Sequence, residues 1–188
     1  MSGPGSVHAV RRARRSRGQR GSVAVEFALV LPLLVMLLLG VTTTGLVYSD
    51  HLAIANAARE GSRLGSAISY SSTTAPVVTP TQWADAVQQR VQQVYFNGGS
   101  TLSTNQVCVL LVDPTTSPAT VRATPTAQGS CGDEPTSPSG VSAGGCIVKV
   151  WVQKPGRVEL GVIAVPAFTI RAQSVSLYGR TAGLCTTP

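Results

Sequence analysis

The sequence predicts an α+β fold in which an N-terminal transmembrane helix continues into a small extracytoplasmic domain. The first observation is an uncharged stretch of 23 residues, 27–49. The second is a helical spacing of apolar side chains over residues 82–96. The third is a set of three β-branched runs near the C-terminus, which favours an antiparallel sheet packed against the helices. The chain has 188 residues, enough for one domain and an anchor.

Charge is sparse and unevenly distributed. Charged residues make up 12% of the chain, about half the usual share, and the net charge is +7. Six arginines before residue 21 supply most of it: Arg11, Arg12, Arg14, Arg15, Arg17 and Arg20. The rest has nine basic and eight acidic residues, a net of +1. A nucleic-acid-binding face needs clustered Lys and Arg on the folded part, so we expect no nucleic-acid partner.

The uncharged stretch is long enough to cross a bilayer. At 1.5 Å per residue, 23 residues span roughly 34 Å. We assign residues 22–49 to the transmembrane helix, in which Pro32 is tolerated. The positive-inside rule places the basic leader, 1–21, in the cytoplasm and residues 50–188 outside. A cleavable secretory signal is disfavoured because no small-x-small site follows the apolar core directly.

Residues 50–68 are predicted to extend the helix beyond the membrane. Small residues recur every fourth position on one face of this extension: Ser49, Ala53, Ala57, Gly61 and Gly65. Such a stripe lets another backbone approach closely. Two partners fit it, the protein's own domain or a neighbouring subunit.

The predicted extracytoplasmic domain covers residues 69–188. After a loop over 69–80, we expect the amphipathic helix 82–96, with Thr81 as its N-cap. Predicted strands cover 106–112, 147–153 and 168–178, the last with a bulge near Gln173-Ser174 where the alternation changes phase. Residues 154–157 are predicted to form a turn. Residues 113–145, rich in Gly, Pro, Ser and Thr, are predicted to be a flexible loop.

Four cysteines follow the predicted membrane helix: Cys108, Cys131, Cys146 and Cys185. An even number on the oxidising side indicates two disulfides, for which three pairings are possible. The pairing Cys131–Cys146 with Cys108–Cys185 is favoured, because it closes the loop and ties down the tail. No histidine lies near a cysteine and no Cys-x-x-Cys occurs, so we expect no metal.

No catalytic residue is predicted. His51 is the single histidine in the predicted exported part, and it lies beside the membrane. A Ser-His-Asp arrangement would have to use it. We therefore expect a protein that is not an enzyme, with no cofactor and no small-molecule substrate.

One segment resembles a known family. The basic leader ends at Gly21, Glu26 lies five residues later, and Phe27 opens the apolar helix. With the continuation Ala-Ala-Arg-Glu-Gly-Ser-Arg at 57–63, this segment resembles the TadE-like (TadE/TadG) proteins of the tight-adherence (Flp) pilus system. The resemblance covers about residues 18–67. It implies a class III signal that a prepilin peptidase cuts between Gly21 and Ser22, leaving the apolar helix on the mature protein.

The resemblance also implies a function. We expect a membrane-anchored, pilin-like protein, a minor pilin or pseudopilin, in a Tad/Flp-type pilus or secretion apparatus. Its expected partners are the membrane, a prepilin peptidase and other pilin-like and Tad secretion-system proteins, with Glu26 pairing its charge during assembly. Its expected place is the cytoplasmic membrane or a surface pilus. The alternative is a signal-anchored binding module of the cell envelope with no pilus role.

Overall fold

A computed structural model describes residues 19–68, 78–95, 100–114, 119–129, 132, 134–138, 145–156 and 168–178. Within these ranges the elements are α1 (Gln19–Ala67), α2 (Pro80–Val94), β1 (Val107–Asp113), β2 (Thr120–Ala123), β3 (Ile147–Gly156) and β4 (Phe168–Leu177). A short 3₁₀ turn, Thr104–Gln106, precedes β1. The predicted α+β class is confirmed.

The predicted transmembrane helix and its extension form one helix, α1. By internal contacts the chain divides into two units, Met1–Thr42 and Thr43–Pro188, and α1 contributes to both. In the first unit Pro32 does not end the helix. The hydroxyl of Thr42 donates back to the carbonyls of Leu38 and Leu39, at 2.9 and 3.0 Å, so this polar group is satisfied within the helix.

Helix α2 begins two residues earlier than predicted. Its N-cap is Thr79, whose side chain accepts from the Gln82 backbone N–H at 3.2 Å, while the Gln82 side chain accepts from the Thr79 backbone N–H at 3.0 Å. This capping box satisfies two backbone donors. Pro80 fits the first turn because the N–H that it lacks would have no helical partner there. The predicted N-cap at Thr81 is therefore wrong.

The four strands form one antiparallel sheet in the order β2-β1-β3-β4. Residues that lie opposite each other, such as Val109 and Val150, face the same side of the sheet. One side packs with α1 and α2 in a cluster that includes Val109, Leu111, Val148, Val150 and Val152. The other side carries a smaller cluster: Cys108, Leu110, Val112, Ile147 and Trp151. We call these the helix side and the outer side.

The predicted bulge in the last strand is wrong. Pairing of β3 with β4 is continuous from Ile147 opposite Leu177 to Gly156 opposite Phe168. The irregularity lies instead in the β1–β2 pair, between Leu111 and Val112. The apolar side chains of β4 switch from one side of the sheet to the other, although the pairing register does not shift. They do so because Ser174 and Ser176 lie on the helix side, where α1 comes close.

Two further predictions need correction. Residues 154–156, predicted as a turn, continue β3, where Lys154 lies opposite Ile170. The segment 113–145, predicted as a loop, contains the end of β1 and all of β2. The buried Asp113 carboxylate accepts from Arg122 at 3.1 Å, and this contact ties β2 to β1. Other described residues of the segment contact the sheet and α2.

Candidate functional site

The residues of the predicted cleavage and assembly site lie on the first turns of α1 and are exposed. The Ser22 hydroxyl donates to the Glu26 carboxylate at 3.4 Å, a contact between neighbouring turns. A Cβ added at Gly21 would meet nothing within 4 Å. Phe27 is 65% exposed. The site is thus accessible from outside the helix, which both a protease and a neighbouring helix require.

The apolar half of α1 is exposed throughout. Its large side chains include Leu29, Val30, Leu33, Met36, Leu37 and Val41, all exposed. Among the described residues, α1 is the one helix that is long and apolar enough to cross a membrane. A contiguous apolar surface of this extent marks a site covered by lipid or by other proteins.

The small residues of the extension face the protein's own head, the unit from Thr43 onward. Ala57 is fully buried, Ala53 is half-buried and Ser49 is exposed. A Cβ added at Gly61 would overlap the Val91 side chain of α2. One added at Gly65 would lie 2.9 Å from Val148 on β3. The sequence left two possible partners for this stripe of small residues. In the structure the stripe packs against the protein's own domain.

Serines replace apolar side chains where α1 crosses β4. The Ser62 hydroxyl lies 2.7 Å from that of Ser174, and the Ser176 hydroxyl donates to the Ser62 carbonyl at 3.0 Å. On α2, the Trp83 indole N–H donates to the Gly65 carbonyl at 3.1 Å. These bonds satisfy buried polar groups and fix α1 against both layers of the head.

An ionic cluster that the sequence did not indicate lies at the start of the head. The Lys154 ammonium donates to the Asp50 carboxylate at 2.9 Å and to the Tyr95 hydroxyl at 2.5 Å. The Tyr95 hydroxyl donates to the other Asp50 oxygen at 2.5 Å. The three side chains come from α1, from the residue after α2 and from β3, so one small network joins all three elements.

Burial and hydrogen bonding shift the pKa values of two groups in this cluster, Tyr95 and Lys154. Burial raises the pKa of the Tyr95 phenol above its ordinary value of 10.0, and its bond to Asp50 raises it further. Burial lowers the pKa of the Lys154 ammonium. The hydrogen bonds with Tyr95 and Asp50 outweigh burial, however, and leave that pKa above its ordinary value of 10.5. At neutral pH Lys154 is therefore charged and Tyr95 is protonated, and the ammonium lies 2.9 Å from the Asp50 carboxylate.

The outer side of the sheet is covered by residues from the segment predicted as a flexible loop. Lys149, whose side chain is 4% exposed, donates to Glu134 at 2.6 Å. The Trp151 indole N–H donates to the Gly132 carbonyl at 3.2 Å, and the Gln153 amide donates to the same carbonyl. These contacts give a buried ammonium and a buried indole their partners.

The same segment also contacts α2. The Asp85 carboxylate accepts from both the backbone N–H and the hydroxyl of Thr126, each at 2.7 Å. The Gln88 amide nitrogen lies 2.8 Å from the Ala127 carbonyl. The described residues of the segment therefore belong to the folded head.

Both cysteines within the described ranges, Cys108 and Cys146, are disulfide-bonded. Cys131 and Cys185 lie outside those ranges, so the favoured pairing stays a prediction. In the described part of the chain, no group of three or more His, Cys, Asp or Glu side chains could hold a metal ion.

His51 lines an open cavity of about 460 Å³, to which α1, β3 and β4 all contribute residues. The other lining residues are Ala55, Arg59, Trp151, Gln153, Arg171, Ala172 and Gln173. The lining thus offers His51 neither a serine or cysteine nucleophile nor a carboxylate. The Ser-His-Asp arrangement considered from the sequence is not formed among these residues.

The fold and these contacts define a small α+β head carried on a helix that is able to span a membrane. Residues 21–63 match the sequence model of a family described as TadE-like protein. The resemblance predicted from Gly21, Glu26 and the 57–63 continuation is therefore confirmed over this segment. No curated protein and no solved structure matches the chain.

Proposed function

We propose that this protein is a pilin-like component, a minor pilin or pseudopilin, in the assembly of a Tad/Flp-type pilus or secretion apparatus. The single observation that supports this most is the TadE-like match over residues 21–63, which covers the exposed apolar helix and the start of the head. In this proposal α1 first anchors the head in the cytoplasmic membrane and later joins a bundle of similar helices.

The exposed first half of α1 supports a role in helix–helix assembly. Its large apolar side chains are exposed, while residues of the second half are packed against α2 and the sheet. The proposal gives the first half two successive surroundings, lipid and then neighbouring helices. Lipid and neighbouring helices both cover apolar surface. Moving the helix from one to the other therefore needs little energy, unless a polar group must also be accommodated.

Glu26 is that polar group. In the proposal, a prepilin peptidase cuts between Gly21 and Ser22, which creates an α-amino group four residues before Glu26. An unpaired carboxylate at the edge of the hydrocarbon is costly. The amine of a neighbouring subunit would neutralise it and fix the axial register of the two helices, as buried polar groups do in some coiled coils.

The experiment uses the full chain in cells that make the pilus, with Glu26→Gln as the variant. Glutamine keeps the shape of the side chain and removes its charge. We expect normal membrane insertion and normal head folding, with loss of incorporation into pili. Ser22→Ala is the matched control: it removes the hydrogen bond to Glu26 but keeps the carboxylate, and we expect it to assemble normally.

The results separate the proposal from its alternative. If Glu26→Gln assembles as well as the unmodified chain, the charge-pairing role is refuted. If deletion of the whole gene also leaves pili unchanged, the envelope binding module without a pilus role takes its place. Mass spectrometry of the membrane-extracted protein tests cleavage separately, because a chain beginning at Ser22 is expected when a prepilin peptidase is present.

A further inference from the structure

We propose that the cavity lined by His51 binds a phosphate ester of net negative charge, either the headgroup of an anionic membrane phospholipid or a small soluble phosphate ester. The proposed role in pilus assembly does not require this site. The inference follows from the charge, burial and position of the residues that line the cavity, all of which belong to the head.

Basic side chains from two elements line the cavity. His51, Ala55 and Arg59 recur at every fourth position, so they lie on one face of α1. From β4, the last strand in the sheet order, Arg171 and Gln173 project to the same side because they are two positions apart. Two arginines and a histidine thus line one opening of about 460 Å³, which is within the size range of small-molecule sites.

The described lining contains no carboxylate to balance these charges. Asp50, one residue before the histidine, binds Lys154 at 2.9 Å. Glu60, one residue after Arg59, binds Arg90 at 3.0 Å. Among the described residues, the Arg59 guanidinium has no ion-pair partner of its own. A cleft lined by one sign of charge concentrates ions of the opposite sign, so this cavity favours an anion.

The remaining lining fits a phosphate that is joined to a small organic group. Each guanidinium presents a planar fork of N–H donors that matches phosphate oxygens, and the Gln173 amide adds further donors. The basic residues and Gln173 are exposed, whereas Trp151 is buried and Ala172 is half-buried. The cavity therefore has a cationic rim above a partly apolar inner surface, which suits an ester better than a bare inorganic ion.

The position of the cavity along α1 favours a lipid as the source of the phosphate. His51 is the second residue after the uncharged stretch, about 3 Å further along the helix, and Arg59 is about 15 Å further. Side chains lean toward the N-terminus of a helix, which brings the Arg59 guanidinium back toward that stretch. The headgroup layer occupies roughly 5–8 Å on each side of the hydrocarbon. With α1 as the membrane anchor proposed above, the cavity opens near the level of the lipid phosphates.

The test is a calorimetric titration of the full chain in micelles of an uncharged detergent. Phosphatidylglycerol and phosphatidylcholine are each added in the same detergent. We expect saturable binding of one phosphatidylglycerol per chain, at least about tenfold tighter than that of phosphatidylcholine, whose choline group cancels the phosphate charge. Equal affinities for the two lipids refute the proposal. No pilus is present in this assay, so its outcome is independent of the proposed role in assembly.

Glycerol 3-phosphate, added free in buffer, identifies the source of the phosphate. If it binds as tightly as phosphatidylglycerol, the site takes a soluble ester. If the lipid alone binds, the source is the membrane. Saturable binding of either ligand supports the site, and binding of neither overturns it.

Matched variants locate the site. Arg59→Gln removes one lining charge and should weaken phosphatidylglycerol binding about fivefold. Ala55→Leu fills the cavity without a change of charge and should abolish binding. Arg63→Gln is the control, because it removes the same charge one turn later on α1 from a side chain that is 84% exposed and does not line the cavity. We expect it to change the affinity less than about twofold.

These variants also separate a defined site from diffuse attraction of a basic surface to anionic lipid. An equal loss in Arg63→Gln and Arg59→Gln would refute the site, and so would full binding by Ala55→Leu. The unfolding midpoint of each variant is measured in the same detergent. If Ala55→Leu folds poorly, the comparison of Arg59→Gln with Arg63→Gln decides the question, since both side chains are exposed.

Discussion

Replacement of Gly61 by alanine tests how closely α1 packs on the head. A Cβ at this position would overlap the Val91 side chain and lie 3.5 Å from Val150. Val91 is fully buried and β-branched, so it cannot turn away cheaply. Overpacking costs about 1–3 kcal/mol, and the better helix propensity of alanine offsets about 0.5–1 kcal/mol. We expect a net loss of about 1–2 kcal/mol in the free energy of unfolding.

A double-mutant cycle isolates the clash. Val91→Ala alone removes two buried methyl groups and should cost about 2–3 kcal/mol. In that background Gly61→Ala fills part of the cavity and improves the helix, so it should stabilise by about 0.5–1 kcal/mol. Gly61→Ala is therefore destabilising in the unmodified chain and stabilising in the Val91→Ala background, so the coupling between the two sites is about 1.5–3 kcal/mol.

The assay is denaturant unfolding of the detergent-solubilised full chain, followed by tryptophan fluorescence, since Trp83 and Trp151 are both buried in the head. Gly45→Ala is the control on the same helix, because a Cβ there meets nothing within 4 Å. We expect it to cost no stability, and at most to add the helix-propensity gain of about 0.5–1 kcal/mol. Equal stability of Gly61→Ala and the unmodified chain, with no coupling to Val91, would refute close packing of α1 on α2.

Three further substitutions or titrations probe the contacts that hold the head together. Because the folded-state pKa values of Tyr95 and Lys154 are raised, their contribution to stability is complete below about pH 10. This contribution should be lost as the pH rises through the folded-state pKa values. In a series of unfolding curves at increasing pH, Tyr95→Phe should lose less stability than the unmodified chain. Gln88→Leu should cost about 2–3 kcal/mol in denaturant unfolding, because this 4% exposed amide lies within hydrogen-bond distance of three carbonyls, those of Thr104 and Val107 near the start of β1 and that of Ala127. Glu134→Gln should cost about 1–3 kcal/mol by removing the charge beside the nearly buried Lys149 ammonium, and Glu134→Ala should be no less destabilising. An unchanged unfolding midpoint in either substitution would show that the corresponding bond contributes nothing.

Local patterns predicted most of the elements. The apolar run, the helical spacing of Trp83, Val87 and Val91, and the alternation of β3 each specify an element without reference to the rest of the chain. Boundaries were less accurate, since the capping box at Thr79 depends on Gln82, whereas Thr81 alone resembled an N-cap. The segment that contains Gly21 and Glu26 resembles TadE-like proteins, and the family match over residues 21–63 confirms that resemblance.

Contacts between distant parts of the chain were not predictable in the same way. Asp50 and Lys154 are 104 positions apart, and neither has a neighbour in sequence that indicates the other. Lys154-Pro155-Gly156 has the composition of a turn but continues β3. On the helix side of the sheet, the Lys154 ammonium donates to the Asp50 carboxylate and to the Tyr95 hydroxyl. In β4 the two serines looked like a break in alternation. They are small polar residues placed where α1 comes close, which only the assembled layers reveal.

The packing of Gly61 and Gly65 restricts how the proposed assembly can form. A stripe of small residues on an exposed helix would be the natural contact for a neighbouring subunit, but α2 and the sheet already occupy it. A neighbour could use it only by displacing Val91 and Val148 from the core, at a cost of several kcal/mol. Helix–helix contacts between subunits must therefore come from the exposed half of α1. In that half Glu26 is the one acidic residue among apolar side chains, so it is the group able to set register. Substitutions at the small-residue stripe should thus act through head stability, and substitutions at Glu26 through assembly alone.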